Sequence, residues 1–196
     1  TLTINIDDVT LPATPVTGSV AESGLEDGST EGTGHTVTNA SLGLPTGQTA
    51  IAKTGAGTNG HGTFTVNADG TYSYELTDTT TGDTVTDTFT YTAQDQYGNT
   101  VINTITVTIV DDVPTAHDDA DTVLSGEYTA GGNVITGVGT TGGDEGAGVD
   151  VKGADGATVT AVSSNNETDN TATDDGTTLT IEGQYGTLVL TKATGE

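Results

Sequence analysis

The chain is 196 residues long and strongly acidic, with 28 Asp and Glu residues against three Lys, and its formal net charge is -25 at pH 7. Such a charge repels nucleic-acid phosphates and anionic membrane surfaces, so neither is expected as a partner. No Cys is present, which excludes disulfides and thiolate metal sites. No apolar run approaches the ~20 residues of a membrane-spanning helix, so no membrane insertion is expected.

Strand-like segments follow one another along the first 110 residues, each alternating β-branched or aromatic residues with polar ones. They are residues 1–6, 16–21, 36–40, 49–54, 62–67, 71–76, 85–93 and 101–110. Helical periodicity is sustained nowhere. High net charge with few aromatic residues is also the composition of disordered chains, but the repeated alternation favours a folded all-β structure.

The clearest local signal is a hairpin between the segments at 62–67 and 71–76. Asp69 and Gly70 lie between these segments, and Asp-Gly forms tight turns because both positions tolerate a positive φ angle. Tyr72, Tyr74 and Tyr91 are interpreted as hairpin and core residues of the same sheets.

An internal repeat predicts the domain organisation. Residues 1–9 (TLTINIDDV) and 104–114 (TITVTIVDDVP) are the same element, and their spacing of about 100 residues is the usual size of an immunoglobulin-like sandwich. We therefore predict tandem immunoglobulin-like Greek-key β-sandwiches. Residues 1–6 are the last strand of a preceding module, residues 7–110 a complete module, and residues 111–196 a second module that lacks its final strands. Two explanations stay open: truncation, or completion by strands from a neighbouring chain.

Paired acids occur where the predicted modules meet. The first acidic pair is Asp7 and Asp8, and the second is Asp111 and Asp112, followed by Asp118 and Asp119. Adjacent carboxylates repel each other unless a cation bridges them. Ca2+ binds about six to eight oxygen ligands, which two modules and the segment between them can supply.

Sandwich topology adds further acids to these two poles. The loop between the last two strands carries Asp95 and is expected beside the first acidic pair. The end of the first strand and the loop between strands five and six are expected to bring Glu22, Asp83 and Asp87 towards the second pair. Asp83 and Asp87 can also be read as exposed loop or strand charges. The predicted Ca2+ ligands are Asp7, Asp8, Glu22, Asp83, Asp95, Asp111, Asp112, Asp118 and Asp119.

These residues carry a family resemblance. Residues 19–22 (SVAE), 92–95 (TAQD) and 111–114 (DDVP) resemble the calcium-binding pattern of cadherin-like domains. Residues 132–136 (GNVIT) and 153–159 (GADGATV) are similar to VCBS-type repeats of giant bacterial RTX adhesins. The resemblance implies an extracellular extender module at the bacterial cell surface, exported by type I secretion, whose calcium ions lock adjacent modules into a rod. Its partners would be neighbouring modules of the same chain or identical chains.

No catalytic constellation is found, so an enzyme is not expected. His35, His61 and His117 are scattered, with neither a cysteine nucleophile nor paired zinc spacing. The leading hypothesis is a calcium-rigidified extender of a surface adhesin that supports attachment or biofilm cohesion. The alternatives are a self-assembling subunit of an extracellular filament or sheath that uses strand donation, and a carbohydrate- or ice-binding module.

Overall fold

The structure is a computed structural model that describes residues 10–82, 84–140, 148–164 and 171–196. The chain divides into two compact units, Thr1–Asp112 and Val113–Glu196. Within the described residues the regular elements are β-strands and one 3-10 turn at Glu22–Gly24. The predicted all-β fold class is confirmed.

The first unit is a sandwich of two four-stranded sheets. Its strands are β1 (Val16–Ala21), β2 (Thr36–Ser41), β3 (Gln48–Ala50), β4 (Lys53–Ala56), β5 (Gly62–Val66), β6 (Thr71–Leu76), β7 (Thr84–Asp95) and β8 (Thr100–Val110). One sheet has the order β1-β8-β7-β3 and the other β2-β6-β5-β4. The strand predicted at 49–54 is two short strands, one in each sheet, because the chain crosses between the sheets there.

Strand alternation places the core between the two sheets. On β8 the odd-numbered residues Ile105, Val107 and Ile109 are buried, whereas the even-numbered residues of the same stretch are more accessible. The aromatic rings form a stack across the core. The Phe64 and Phe89 centroids are 4.0 Å apart with an interplanar angle of 12°, and Tyr74 lies 6.2 Å from Phe89. Phe89 of one sheet therefore packs against residues of both central strands of the other.

A buried acid lies beside this aromatic stack. Asp87 is 0% exposed, and its carboxylate accepts hydrogen bonds from the Tyr74 hydroxyl (3.1 Å) and the Asn59 and Thr88 amides (3.1 Å each). Burial, together with the charge of Asp87 and the hydrogen bond to it, raises the pKa of the Tyr74 phenol far above its usual value. The interpretation of Asp87 as an exposed strand charge is wrong, because period-two alternation places it on the same inward face as Phe89.

The hairpin between β5 and β6 forms where it was predicted. Gly70 has a φ of 86°, a conformation that favours glycine. Asp69 contributes in another way, since its carboxylate accepts hydrogen bonds from the Thr71 amide (3.0 Å) and hydroxyl (2.7 Å). The turn therefore needs a positive φ at the glycine alone, and the aspartate stabilises it through its side chain.

A close approach between β5 and β6 at Gly62 gives a first testable prediction. A Cβ at Gly62 would collide with the Glu75 carbonyl oxygen and lie 2.5 Å from the Tyr74 ring. We expect Gly62→Ala to lower the free energy of unfolding by about 2 kcal/mol, the usual range for overpacking. Gly186→Ala is the matched control, because nothing lies within 4 Å of the added Cβ. Urea denaturation of both variants checks this, and equal losses would contradict it.

The second unit contains a smaller sheet. Its strands are β9 (Thr173–Asp174), β10 (Thr178–Glu182) and β11 (Thr187–Thr191), in the order β11-β10-β9. Leu179, Ile181 and Leu190 of this sheet are buried, as is Ile135. Thr115 and Val151 form an isolated antiparallel bridge. Lys192 makes a salt bridge of 2.7 Å with Asp174 across the sheet.

Candidate calcium site

The ends of β1 and β8 bring two acids together in the first unit. These strands pair in parallel, with Ala21 opposite Val110, so the next residue of each strand, Glu22 and Asp111, emerges at the same edge. One carboxylate oxygen of Glu22 lies within 4.8 Å of one carboxylate oxygen of Asp111. The approach of these two acids is thus a direct consequence of strand register.

Glu22 is buried although it carries a carboxylate. It begins the 3-10 turn at Glu22–Gly24 and is 0% exposed. Its Oε1 accepts hydrogen bonds of 2.6 Å from both the amide and the hydroxyl of Thr80. The segment after β6 is thereby fastened to the end of β1, and the Glu22 side chain is held in one position beside Asp111.

Asp112 is held by a different loop. Its Oδ2 accepts a hydrogen bond from the Ser29 amide (2.8 Å) and its Oδ1 one from the Ser29 hydroxyl (2.6 Å). Both oxygens are thus engaged, and the residue is largely buried. Asp112 therefore anchors the backbone directly after Asp111.

Asp95 closes the loop between β7 and β8. Its Oδ1 accepts from the Tyr97 amide (2.8 Å) and the Asn99 amide (2.9 Å), and its Oδ2 accepts from the Asn99 side chain (2.9 Å). The Asn99 side chain, and then the loop amides, lower the pKa of Asp95 below its usual value. In this arrangement the carboxylate is used to order its own loop.

A second group of acids lies within the second unit. Burial, and then the charges of Asp150 and Asp118, raise the pKa of Asp119. The Asp119 Oδ1 atom is buried, and no donor among the described residues reaches it. A Cβ at Gly148 would collide with that oxygen, so a glycine is needed where the chain passes over the acid. Asp150 accepts a hydrogen bond of 2.7 Å from the His117 amide.

Three of the predicted ligands, Asp7, Asp8 and Asp83, lie outside the described residues, and their roles stay predictions. Asp150, Ser29 and Thr80 were not anticipated. Asp150 lies far along the chain from Asp119, and Ser29 and Thr80 are ordinary hydroxyl residues in loops. The sequence contains no signal that would identify such partners before the loops are placed.

The donor chemistry of the Glu22–Asp111 pair suits a hard cation. Both residues offer carboxylate oxygens, which are the usual ligands of Ca2+. Thiolate and imidazole ligands, which favour zinc and copper, play no part in the pair. Two like charges this close, one of them buried, repel each other strongly unless a cation lies nearby.

Within the described ranges, no helix is long and apolar enough to span a membrane.

Comparisons with known proteins place the first unit in a family. No curated protein and no solved structure matches the chain. Residues 3–108 match the family model of the bacterial Ig domain. This range contains every strand of the two-sheet sandwich except the last two residues of β8. With more than half of the chain matched, the protein belongs to the bacterial Ig domain family.

Proposed function

We propose that the chain is a non-catalytic extender of a bacterial surface adhesin, exported by type I secretion and stiffened by Ca2+. Membership of the family supports a structural role outside the cell, since bacterial Ig domains are structural modules that are often extracellular or at the cell surface. The extender supports cell attachment or biofilm cohesion by holding other parts of the adhesin away from the cell.

The observation that carries the calcium proposal is the Glu22–Asp111 pair. Glu22 is fully buried and fixed by Thr80, and one of its oxygens lies within 4.8 Å of an Asp111 oxygen. Burying a carboxylate beside a second one is unfavourable, and removing one charge or adding a cation relieves it. A bound Ca2+ ion would neutralise both carboxylates and be coordinated by oxygen atoms of both.

The position of the Glu22–Asp111 pair explains how a bound ion could make the chain more rigid. Asp111 and Asp112 are the last residues of the first unit, and Val113 begins the second. An ion held by Asp111 would restrict the backbone at the point where the chain leaves the sandwich. With a net charge of -25, the chain also gains stability from any cation that reduces self-repulsion.

The acids of the second unit are proposed as a further cation position. Asp118 and Asp150 both lie close enough to Asp119 for their charges to act on its carboxylate. Gly148 allows the chain to pass against Asp119. Their oxygens are hard donors of the same kind as those of Glu22 and Asp111.

Calcium addition tests the proposal directly. At a free concentration of about 100 times its dissociation constant, one Ca2+ ion stabilises the folded state by about 2.7 kcal/mol. For the first unit this corresponds to a melting temperature about 10 °C higher than in EDTA. Differential scanning calorimetry measures this change, and small-angle scattering of the whole chain should show a narrower distribution of sizes with Ca2+.

Mg2+ at the same ionic strength is the matched control, because it demands a tighter octahedral site and keeps its own waters. An equal rise with Mg2+ would indicate general screening of the acidic surface. Identical melting and scattering in Ca2+ and in EDTA would contradict the proposal.

A further inference from the structure

The outer face of the sheet formed by β1, β8, β7 and β3 is uncharged among the described residues. Strands β1, β3 and β8 contain no charged residue, and of the two acids of β7, Asp87 is buried and Asp95 orders its own loop. Since the odd-numbered residues of β7 and β8 face the core, their even-numbered residues face outwards. Between residues 86 and 92 of β7, and between residues 104 and 108 of β8, every outward residue is a threonine. We call this surface the uncharged face.

The acids of the first unit are concentrated away from the uncharged face. Residues 22–31, directly after β1, contain four acids, and Asp111 and Asp112 follow β8. Because β1 and β8 run parallel, these acids belong to one end of the sandwich, which we call the exit end. Asp95 lies at the opposite end, in the loop that joins β7 to β8. The sandwich is therefore most strongly charged at the exit end and neutral along this sheet.

Large apolar side chains are exposed on the uncharged face. Ile102 is 69% exposed, Val110 46% and Ile51 45%. The Ile51 amide bonds the Thr92 carbonyl at 2.9 Å, and Thr92 lies opposite Ile102. Ile51 and Ile102 thus flank one threonine in a single row across the sheet. A surface of isoleucine, valine and threonine methyl groups without charges becomes more stable when another surface covers it.

The charge of the chain determines which partner can cover this face. With a net charge of -25, the chain repels acidic partners, and a basic partner would be drawn to the exit end instead. A second copy of the chain meets the same repulsion except where two uncharged faces meet. One patch that meets its own copy gives a closed dimer with two-fold symmetry, and twisted sheets pack face to face at about 10 Å.

The size of the face suits a weak dimer. Strand β8 has 11 residues and is therefore about 35 Å long, and the three strands β1, β8 and β7 are together about 15 Å wide. Covering this area would bury roughly 500 Å² on each copy, or about 1,000 Å² in total, which is the size of transient protein contacts.

The acids also determine how the two copies are oriented. If the strands of both copies ran in the same direction, the two exit ends would lie about 10 Å apart and repel each other. A two-fold axis perpendicular to the strands separates the exit ends by about 35 Å, which is several times the Debye length at physiological ionic strength. The antiparallel arrangement is therefore favoured.

We infer that the uncharged face is a self-association surface, which joins two copies of the chain face to face with antiparallel strands. The contact is between sheet faces, and no strand is exchanged. This inference goes beyond the extender function and does not depend on calcium binding. It gives identical chains a means of holding to one another along their sides.

Sedimentation equilibrium of the intact chain tests this inference. Between about 10 µM and about 1 mM, the chain should pass reversibly from monomer to dimer, in EDTA as well as in Ca2+. Thr106→Asp should weaken the dimer at least about tenfold, because the two introduced charges meet close to the axis. Thr65→Asp, the matched change at an outward position of β5 in the other sheet, should leave the dimer unchanged. A chain that stays monomeric over the whole range, or equal effects of the two variants, would overturn the inference.

Urea denaturation verifies that the Thr106→Asp variant stays folded. If it does not, Ile102→Asp takes its place, because its position is 69% exposed and a charge there does not disturb the core. The same tenfold weakening is expected, and an unchanged dimer would exclude the uncharged face as the contact.

The orientation of the copies has its own readout. The chain has no Cys, so Gln96→Cys, in the exposed loop between β7 and β8, can carry a single nitroxide spin label. Mixed with isotope-labelled chain, the spin-labelled chain should broaden the amide resonances of Thr108 and Val110, at the exit end of the second copy. Broadening confined to Thr100 and Ile102 would overturn the antiparallel arrangement. No broadening at concentrations where the dimer forms would overturn the inference as a whole.

Discussion

Replacing Asp87 with alanine is expected to lower the free energy of unfolding of the first unit by about 4 kcal/mol, because one buried and two partly buried donors lose their charged acceptor. The donors are the Tyr74 hydroxyl and the amides of Asn59 and Thr88. Gly57 packs directly over the carboxylate, so little room is left for water to replace it. Since domains are stable by about 5–15 kcal/mol, a loss of this size is a large part of the total.

Urea denaturation followed by the near-ultraviolet signal of the tyrosines measures this loss. Tyr72, Tyr74 and Tyr91 are all buried in the first unit, so the signal reports its unfolding. Asp78→Ala removes the same charge from an exposed position and should change stability by no more than about 0.5 kcal/mol. Tyr74→Phe removes one of the three donors and should cost about 2 kcal/mol. A loss below about 1 kcal/mol for Asp87→Ala would show that the carboxylate does not organise the core.

The burial of Asp87 could not be predicted from the sequence, because two signals at this position conflict. Period-two alternation places Asp87 on the same face as Phe89 and Tyr91, and that face is the core. The charge of the residue argued for an exposed position, because isolated buried carboxylates are unfavourable. The donors that make burial tolerable come from Asn59 and Tyr74, on other segments, and their approach depends on how the two sheets pack.

Local patterns predicted the strands of the first unit well. The bounds of β1 and β6 match the predicted segments, and the turn at Asp69 and Gly70 joins β5 to β6 as expected. These elements depend on alternation and turn chemistry, which are properties of short segments. The short β9 (Thr173–Asp174) was not anticipated, because a two-residue strand has no alternation to detect and depends on pairing with β10.

The candidate site was predictable in one respect. The approach of Glu22 to Asp111 follows from the parallel pairing of β1 with β8, which the sandwich topology implied. The hydrogen bonds of Asp95 within its own loop and of Asp112 to Ser29 were not predicted, since an acidic residue close to a turn can order that turn as readily as it can bind a cation.

Replacing Glu22 with glutamine should change stability in opposite directions with and without Ca2+. Glu22→Gln keeps the shape of the side chain and an oxygen that can accept from Thr80, but it removes one of the two charges of the Glu22–Asp111 pair. In EDTA the variant should be at least as stable as the original chain, because the repulsion of Asp111 is relieved. In Ca2+ it should be less stable, because a carboxylate ligand is lost. Each tenfold loss of calcium affinity removes about 1.4 kcal/mol of calcium-dependent stabilisation at a fixed, high ion concentration.

The opposite signs of these two effects separate calcium binding from simple packing. If Glu22 has a purely structural role, Glu22→Gln should change stability by the same amount with and without Ca2+. If Glu22 is a ligand, the variant should be at least as stable as the original chain in EDTA and less stable than it in Ca2+. Glu31→Gln removes the same charge from an exposed position and should leave the calcium response unchanged. Calorimetric titration with Ca2+, combined with urea denaturation in Ca2+ and in EDTA, measures both quantities. An equal calcium response of Glu22→Gln and Glu31→Gln would exclude Glu22 as a ligand and leave its bonds to Thr80 as its role.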